Sequence, residues 1–188
     1  MDAIRAITER VSVAQLTGPD ITQEQKEVLF KAAMRAPDHA WMRPSRYLTI
    51  EGEAREELGK IFYKYQAGRE VLSPEKAKKV KNMLLRAPLV IVGITHLEEH
   101  PKVPRDEQLL STGAGVQNML NAAYAMGLGA IWRTGAMAEC EGVRKALGLR
   151  PDDVITAFLY VGHINTTPKP VPEVDLSEYV SAWTGEIS

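Results

Sequence analysis

A cluster of basic and aromatic side chains lies between Arg35 and Arg46, in the segment Arg-Ala-Pro-Asp-His-Ala-Trp-Met-Arg-Pro-Ser-Arg. Three arginines (Arg35, Arg43 and Arg46), the imidazole of His39 and the indole of Trp41 fall within this short stretch. Local folding does not require such a mixture, whereas guanidinium and aromatic groups together suit a bound, partly aromatic anion. An ordinary helix–loop–strand connection with solvated arginines is the alternative interpretation.

Three other motifs invite a chemical interpretation that their context does not support. His96-Leu-Glu-Glu-His100 has the H-x-x-E-H spacing of a zinc site, but it follows a predicted strand and Pro101 ends it. We expect two surface histidines there, with a zinc hydrolase as the alternative. Gly127-Leu-Gly129 follows a helix and enters a strand, which is the reverse of a dinucleotide loop. Cys140 has no histidine near it in sequence, so we expect an unreactive packed or surface thiol.

Composition limits the class of protein. The 188 residues fit one domain, 1–188, with a net charge of −1 and no basic block of the kind that binds nucleic acid. The apolar run 89–94 is too short to cross a membrane, and the N-terminus lacks the pattern of a secretory signal. A single cysteine excludes an internal disulfide. We expect a soluble cytoplasmic protein with no metal, nucleic acid or membrane partner.

Hydrophobic periodicity and capping signals predict an alternation of helices and strands. Thr22 and Gln25 form a capping box, Ser73-Pro74 is a typical helix start, and Gly127 is a typical helix end. The pattern indicates an α/β or α+β arrangement of helices around one sheet. The predicted elements are helix 3–10, linker 16–20, helix 22–36, strand 47–50, helix 53–65, helix 74–86, strand 89–94, helix 106–126, strand 130–133, helix 139–146 and strand 154–161.

The longest predicted helix and the C-terminal tail set the expected packing. Small residues from Ser111 to Gly115 allow a close approach, either in the core or between two subunits. Leu110 is expected to add apolar surface beside the buried stripe of this helix. The tail after Ile164 is rich in proline and ends in an apolar cluster, so it must pack on the body or on a second subunit.

Four segments remain without a local explanation: 10–12, 35–39, 127–135 and the arm that begins at Pro168. Together they resemble the nitroreductase family of FMN flavoenzymes, in particular its compact members. The resemblance covers essentially the whole chain in order. The matching motifs are Arg10-x-Ser12, Met34-Arg-Ala-Pro-Asp-His39, 47–52, Arg86-Ala-Pro-Leu89, Lys102-Val-Pro-Arg105, Gly127-Leu-Gly-Ala-Ile-Trp-Arg-Thr-Gly135 and Phe158-Leu-Tyr-Val-Gly162.

The resemblance implies a fold, a cofactor and an activity. The fold is α+β, with a central, mainly antiparallel sheet flanked by helices and a C-terminal arm, 164–188, exchanged across a homodimer. The cofactor is FMN at the dimer interface, and NAD(P)H reduces a nitroaromatic, quinone or unidentified acceptor by ping-pong hydride transfer through flavin N5. No catalytic side chain is implied, because the flavin carries the chemistry.

The same resemblance implies the binding residues. Arg10, Ser12 and Arg133 hold the phosphate, the Arg35–His39 loop comes from the partner subunit, and the backbone around 132–135 lies along the flavin ring. The implied cofactor-binding set is Arg10, Val11, Ser12, Arg35, His39, Trp132, Arg133, Thr134 and Gly135. The implied NAD(P)-binding set is Ala122, Ala123, Tyr124, Ala125, Met126 and Gly127.

The chain also departs from the family pattern. Val11 and Ala14 stand where many members have basic residues, one of which commonly stabilises the reduced flavin. Arg35, Arg43 and Lys102 are the candidates to replace that charge. The segment 41–45, Trp-Met-Arg-Pro-Ser, replaces the usual Asn-x-Gln-Pro-Trp. These departures leave a second hypothesis open, a non-catalytic flavin-binding or scaffold homologue of the same fold.

Overall fold

The computed structural model describes residues 2–185. Within this range the chain forms six α-helices and five β-strands. The helices are α1 (Ala3–Thr8), α2 (Gln23–Ala33), α3 (Ala54–Ala67), α4 (Pro74–Lys81), α5 (Arg105–Ala125) and α6 (Glu141–Ala146). The strands are β1 (Leu16–Thr17), β2 (Ser45–Glu51), β3 (Leu89–Thr95), β4 (Gly129–Arg133) and β5 (Val154–Ile164).

The described strands form one sheet in the order β1-β5-β3-β2, and β4 pairs with β5 as well. Every pairing is antiparallel. The long strand β5 pairs through 158–162 with β4 and through 163–164 with β1. The predicted α+β fold with a mainly antiparallel central sheet is therefore confirmed.

The sheet has a hydrophobic core on each face. Strand β3 is buried along its whole length, as its continuous apolar run predicts. Alternate residues serve the two faces: Val90 and Val92 join the core beneath α3 and α6, whereas Leu89 and Ile91 join the core beneath α2 and α5. Helices on both faces thus fix the sheet that carries the candidate site.

Local signals place several helix ends. The Thr22 hydroxyl accepts from Gln25 N–H, and the Gln25 side chain accepts from Thr22 N–H, which confirms the capping box. The Ser73 hydroxyl accepts from Lys76 N–H ahead of α4. Gly127 follows α5 with φ +77°, a conformation that favours glycine.

The small residues of α5 serve core packing within the chain. A Cβ at Gly115 would collide with the Tyr47 hydroxyl and lie 3.2 Å from the Ala33 carbonyl oxygen. A Cβ at Gly113 would contact the Trp132 ring at 3.5 Å. Of the two reasons for small residues that the sequence left open, close packing inside the fold is the one observed.

Several predicted boundaries differ from the structure by a few residues, and three of them are instructive. The predicted linker 16–20 contains β1, because Leu16 and Thr17 pair with Ile164 and His163 at the end of β5. The helix predicted over 3–10 ends at Thr8, so Arg10 lies beyond it. The helix predicted over 74–86 ends at Lys81; Asn82 leaves helical geometry and a 3-10 turn, Met83–Arg86, follows.

Apolar side chains remain on the surface of the chain. Leu110 of α5, expected to add to the buried stripe, is 71% exposed. The tail beyond Asn165 is extended and exposed through Gly185, with a 3-10 turn at Leu176–Glu178. Its large apolar side chains, including Tyr179 and Trp183, lie in solvent. No helix within residues 2–185 has the length and apolar character to cross a bilayer.

Candidate functional site

The loop between α2 and β2 has an unusual backbone. Helix α2 ends at Ala33, and a 3-10 turn spans His39–Trp41. Ala40, Trp41 and Arg43 have φ of 54°, 57° and 48°, which is the left-handed region that residues with a Cβ rarely adopt. Strain of this kind costs about 1–3 kcal/mol per residue and clusters at functional sites. The strained backbone therefore marks this loop as a candidate site.

Contacts from α5 and from within the loop hold this backbone in place. The Ser111 hydroxyl donates to the Pro37 carbonyl oxygen at 2.8 Å. His39 Nδ1 lies 2.5 Å from a carboxylate oxygen of Glu107. Within the loop, Arg43 N–H donates to Asp38 Oδ2 at 2.7 Å. The sequence prediction named His39 but not Glu107 or Ser111, whose contacts join residues far apart in the chain.

The loop and α5 enclose a cleft of about 620 Å³, hereafter the loop cleft. Three exposed arginines and the Trp41 indole line it, and Asp38 contributes its one lining carboxylate. The Arg43 guanidinium lies 5.5 Å from the Trp41 ring centroid, within cation–π range. The lining residues are Ala33, Met34, Arg35, Ala36, Asp38, Trp41, Arg43, Pro44, Ser45, Arg46 and Ser111.

The segment that follows α1 places Arg10 against the body of the chain. Val13 N–H donates to the Ala130 carbonyl oxygen at 3.1 Å, so this segment lies beside β4. Arg10 Nη1 is buried and has no hydrogen-bond partner among the described residues. Val11 is half-buried, and Ser12 is exposed. A buried donor without a partner is costly, which makes Arg10 a candidate ligand-binding group.

Strand β4 carries the second predicted segment. The Trp132 indole donates from Nε1 to the Thr156 carbonyl oxygen at 3.0 Å and packs against α5. Its side chain thus belongs to the core. Arg133 Nε, by contrast, is buried with no partner among the described residues. Burial raises the pKa of Tyr160, while the positive charges of Arg86 and Arg133 oppose that rise.

Beyond β4 the backbone is open to solvent. Thr134 and Gly135 are exposed, and Gly135 has φ +69°, which begins a 3-10 turn at Gly135–Met137. The peptide groups here are accessible, because a Cβ at Gly135 would meet no atom of the described residues within 4 Å, apart from its chain neighbours. The backbone here is therefore accessible, whereas the Trp132 ring packs against α5.

The structure brings together some of the predicted residues and separates others. Arg35 lines the loop cleft and His39 belongs to the same loop, whereas neither Arg10 nor Arg133 lines that cleft. Arg10 and Tyr124 line a separate cavity of about 10 Å³, which is water-sized. Within the predicted NAD(P)-binding set, Ala123 is fully buried, while Ala125 and Gly127 are exposed. This set stays a prediction.

The H-x-x-E-H motif lies in a loop after β3, as its context predicts. His96 was expected on the surface, but its side chain is only 26% exposed, and Nδ1 lies 2.6 Å from the buried carboxylate of Asp153. Arg150 Nε donates to the same carboxylate at 3.0 Å. His100 Nδ1 accepts from Lys102 N–H at 3.2 Å. The two histidines therefore have separate partners.

Burial alone would raise the pKa of Asp153, but hydrogen bonds from the Arg150 backbone and side chain, and from His96, outweigh that effect. The pKa of Asp153 is therefore held below its ordinary value of 3.8. An ionised, tightly held carboxylate between a guanidinium and an imidazole is a structural anchor for the end of β3 and the start of β5.

Comparisons with known proteins agree with this fold and identify the family. The model of the nitroreductase family matches residues 7–163. A putative NAD(P)H nitroreductase, YdjA of Escherichia coli strain K12, is 43% identical over 163 residues, covering 86% of this chain and 88% of the relative. A putative NAD(P)H nitroreductase of Haemophilus influenzae is 35% identical over the same shares. The chain belongs to the nitroreductase family.

Solved structures show the same fold. A nitroreductase-like family protein from Bacillus cereus superposes with a TM-score of 0.83 at 25% identity, covering 98% of this chain and 97% of its own. A putative nitroreductase from Desulfovibrio desulfuricans, crystallised in complex with FMN, superposes with a TM-score of 0.73 at 21% identity and 98% coverage of both chains.

Proposed function

We propose that this protein is a homodimeric, FMN-dependent NAD(P)H oxidoreductase that reduces quinones, nitroaromatics or a related small acceptor. The observation that carries the proposal is a pair of buried guanidinium nitrogens, Arg10 Nη1 and Arg133 Nε, that have no hydrogen-bond partner within residues 2–185. Both belong to segments that match the nitroreductase family. Two relatives are named as putative NAD(P)H nitroreductases, which supports the choice of reductant.

The two arginines suit the phosphate of FMN. A phosphate presents several strong acceptors and a double negative charge, and guanidinium groups bind it in bidentate geometry. Such a ligand would satisfy donors that the described residues leave unpaired. Arg10 and Arg133 would then hold the phosphate, with the exposed Ser12 hydroxyl as a further donor.

The flavin ring would lie against the open backbone that follows β4. Peptide groups near Thr134 and Gly135 are exposed, and a peptide N–H can polarise a ring nitrogen without a titratable side chain. When bound, FMN accepts a hydride from NAD(P)H and passes two electrons to the acceptor. For a quinone Q the overall reaction is NAD(P)H + H⁺ + Q → NAD(P)⁺ + QH₂. The chain therefore needs to bind and orient, and no nucleophile is required.

Two observations support a homodimer. The tail carries several exposed apolar side chains that the same chain does not cover, including Leu176 and Trp183, which are 68% and 86% exposed. The loop cleft is separate from Arg10 and Arg133, so Arg35 and His39 could contact a flavin held by the other subunit. In this proposal the arm covers the partner, and each flavin receives residues from both chains.

Anaerobic turnover tests this function. Purified protein supplied with FMN should oxidise about one equivalent of NADH or NADPH per flavin, and should continue to oxidise it only when a quinone or nitroaromatic acceptor is added. Protein whose FMN is reduced by NAD(P)H but transfers electrons to none of the added acceptors would favour the non-catalytic hypothesis. Protein that oxidises neither nucleotide under any of these conditions would contradict the proposed activity.

A further inference from the structure

We propose that the loop cleft binds the anionic group of an aromatic substrate, with the charge facing Arg43 and the ring near Trp41. The inference rests on the proposed function, because it assigns the cleft to a substrate of that reaction. It goes beyond that function by naming a chemical class: ligands that carry a carboxylate, sulfonate or phosphate are preferred over neutral ligands of the same shape.

The charges that line the cleft are unbalanced. Three arginines face a single carboxylate, that of Asp38, which gives a formal lining charge of +2. None of the ion pairs among residues 2–185 includes Arg35, Arg43 or Arg46. Positive charge concentrated in a cleft raises the local concentration of anions and favours their binding.

Hydrogen bonds and a strained backbone hold the arginines and Trp41 of the cleft in position. Arg46 Nη1 donates to the carbonyl oxygens of Arg43 and Ser45, at 2.7 and 2.8 Å. Trp41 is 78% exposed despite its size, and both Trp41 and Arg43 have left-handed backbone conformations. An exposed indole next to a guanidinium offers a stacking surface and a charge to the same ligand. A ligand-binding role for Trp41 and Arg43 would explain why the loop keeps this backbone strain.

The cleft suits a ligand that exchanges, whereas the Arg10 and Arg133 donors suit one that stays bound. Arg10 Nη1 and Arg133 Nε are buried, so a ligand there would be held by desolvated charges. Arg43 and Arg46 of the cleft are exposed on the single chain, which favours weaker and faster binding. A substrate must leave in each turnover, so the exposed set is the better match for it.

Two substrates carry the required chemistry. One is an aromatic acceptor with an acidic substituent, and the other is NADPH, whose 2′-phosphate distinguishes it from NADH. For a nitro acceptor the overall first reduction is ArNO₂ + NADPH + H⁺ → ArNO + NADP⁺ + H₂O. Both substrates present an anion on a molecule with a planar ring. The experiment must separate them.

Equilibrium binding to the oxidised, FMN-loaded protein distinguishes the acidic acceptor from the nucleotide without turnover. Isothermal titration compares 4-nitrobenzoate with neutral 4-nitrobenzamide, and NADP⁺ with NAD⁺. The test variants are Arg43→Gln, which removes the charge, and Arg43→Lys, which retains it. Arg69→Gln is the matched control, because Arg69 is also exposed and lies over an aromatic ring, 5.2 Å from the Tyr65 centroid, but outside the cleft.

The wild type should bind 4-nitrobenzoate more tightly than 4-nitrobenzamide, or NADP⁺ more tightly than NAD⁺, by roughly tenfold, which is the size expected of one charge-assisted contact. Arg43→Gln should remove most of that preference, Arg43→Lys should retain much of it, and Arg69→Gln should leave it unchanged. Added salt should weaken it. The pair that responds identifies the acceptor or the nucleotide as the ligand.

The inference would be overturned if Arg43→Gln and the wild type showed the same ratio of affinities, both for 4-nitrobenzoate over 4-nitrobenzamide and for NADP⁺ over NAD⁺. Loss of FMN from Arg43→Gln would also overturn it, because Arg43 would then bind the flavin, as Arg35 of the same loop is proposed to do, rather than a substrate. Flavin content and its bleaching by NAD(P)H are measured on the same samples. Wild-type flavin that NAD(P)H does not bleach contradicts the proposed function, whereas bleaching without an anion preference contradicts only the assignment of the cleft.

Discussion

Replacement of Arg10 by alanine is the sharpest test of the proposed phosphate site. Arg10 Nη1 is buried and unpartnered among the described residues, so a bound phosphate would be its partner. Truncation of one member of a buried, hydrogen-bonded charge pair costs on the order of 2–5 kcal/mol. Since each 1.4 kcal/mol is about tenfold, the dissociation constant of FMN should rise roughly 30- to 4,000-fold. Because Arg10 is partly accessible, the lower half of that range is expected.

The stability of the apoprotein should respond differently. Without FMN, the buried donor of Arg10 is a cost of about 1–3 kcal/mol, so its removal should not lower the melting temperature. Fluorescence titration with FMN and thermal unfolding of the apoprotein measure the two effects. Arg5→Ala is the control: Arg5 is exposed on α1 and paired with Glu9 at 2.7 Å, a contact worth about 0–1 kcal/mol. Wild-type FMN affinity in Arg10→Ala, or an equal loss in Arg5→Ala, would refute the reasoning.

Two predictions concern stability. Gly59→Ala should destabilise the fold by about 1–3 kcal/mol, because its Cβ would collide with the Lys81 carbonyl oxygen. Gly142→Ala is the control, since its Cβ would meet side-chain atoms no closer than 3.5 Å. Urea unfolding measures both, and equal midpoints for the two variants would contradict the collision. The depressed pKa of Asp153 predicts stability that is present above pH 3.8 and is lost as pH falls through the lower, folded-state pKa. Asp153→Asn should be less stable than the wild type at neutral pH, and its free energy of unfolding should fall less on acidification. Equal decreases in the free energy of unfolding of wild type and variant would show that Asp153 is not the source of the pH dependence.

Elements whose signals are local could be predicted from the sequence. The apolar run of β3, the capping box at Thr22 and the glycine after α5 each depend on residues within a few positions of one another. Backbone geometry of this kind is decided before distant parts of the chain meet. The predicted helices and strands with such signals are present, with boundaries shifted by a few residues.

Features decided by distant contacts could not be predicted in the same way. Strand β1 forms because Leu16 and Thr17 pair with the end of β5. Two residues are too few to show the alternation of apolar and polar side chains that predicts a strand. Leu110 has the periodicity of a buried residue but lies in solvent, because no described element of the chain covers that side of α5. An apolar residue that a second subunit buries shows the same sequence periodicity as one buried in the core of its own chain.

Sequence reasoning named part of the candidate site. Arg10, Arg133 and the loop at Arg35 were implied by the resemblance to the nitroreductase family, and their roles stay a prediction. Glu107 and Ser111 were not implied, because their partners in the loop lie 68 and 74 positions away. One available signal was the acidic first turn of α5, which could have been matched with the basic loop.

The absorbance spectrum of the purified protein, before and after addition of NAD(P)H under anaerobic conditions, tests the central claim most directly. The account predicts a yellow protein with one FMN per subunit, whose flavin absorbance bleaches with NADH or NADPH and returns when a quinone or nitroaromatic is added. A colourless protein that takes up no FMN on reconstitution would contradict it.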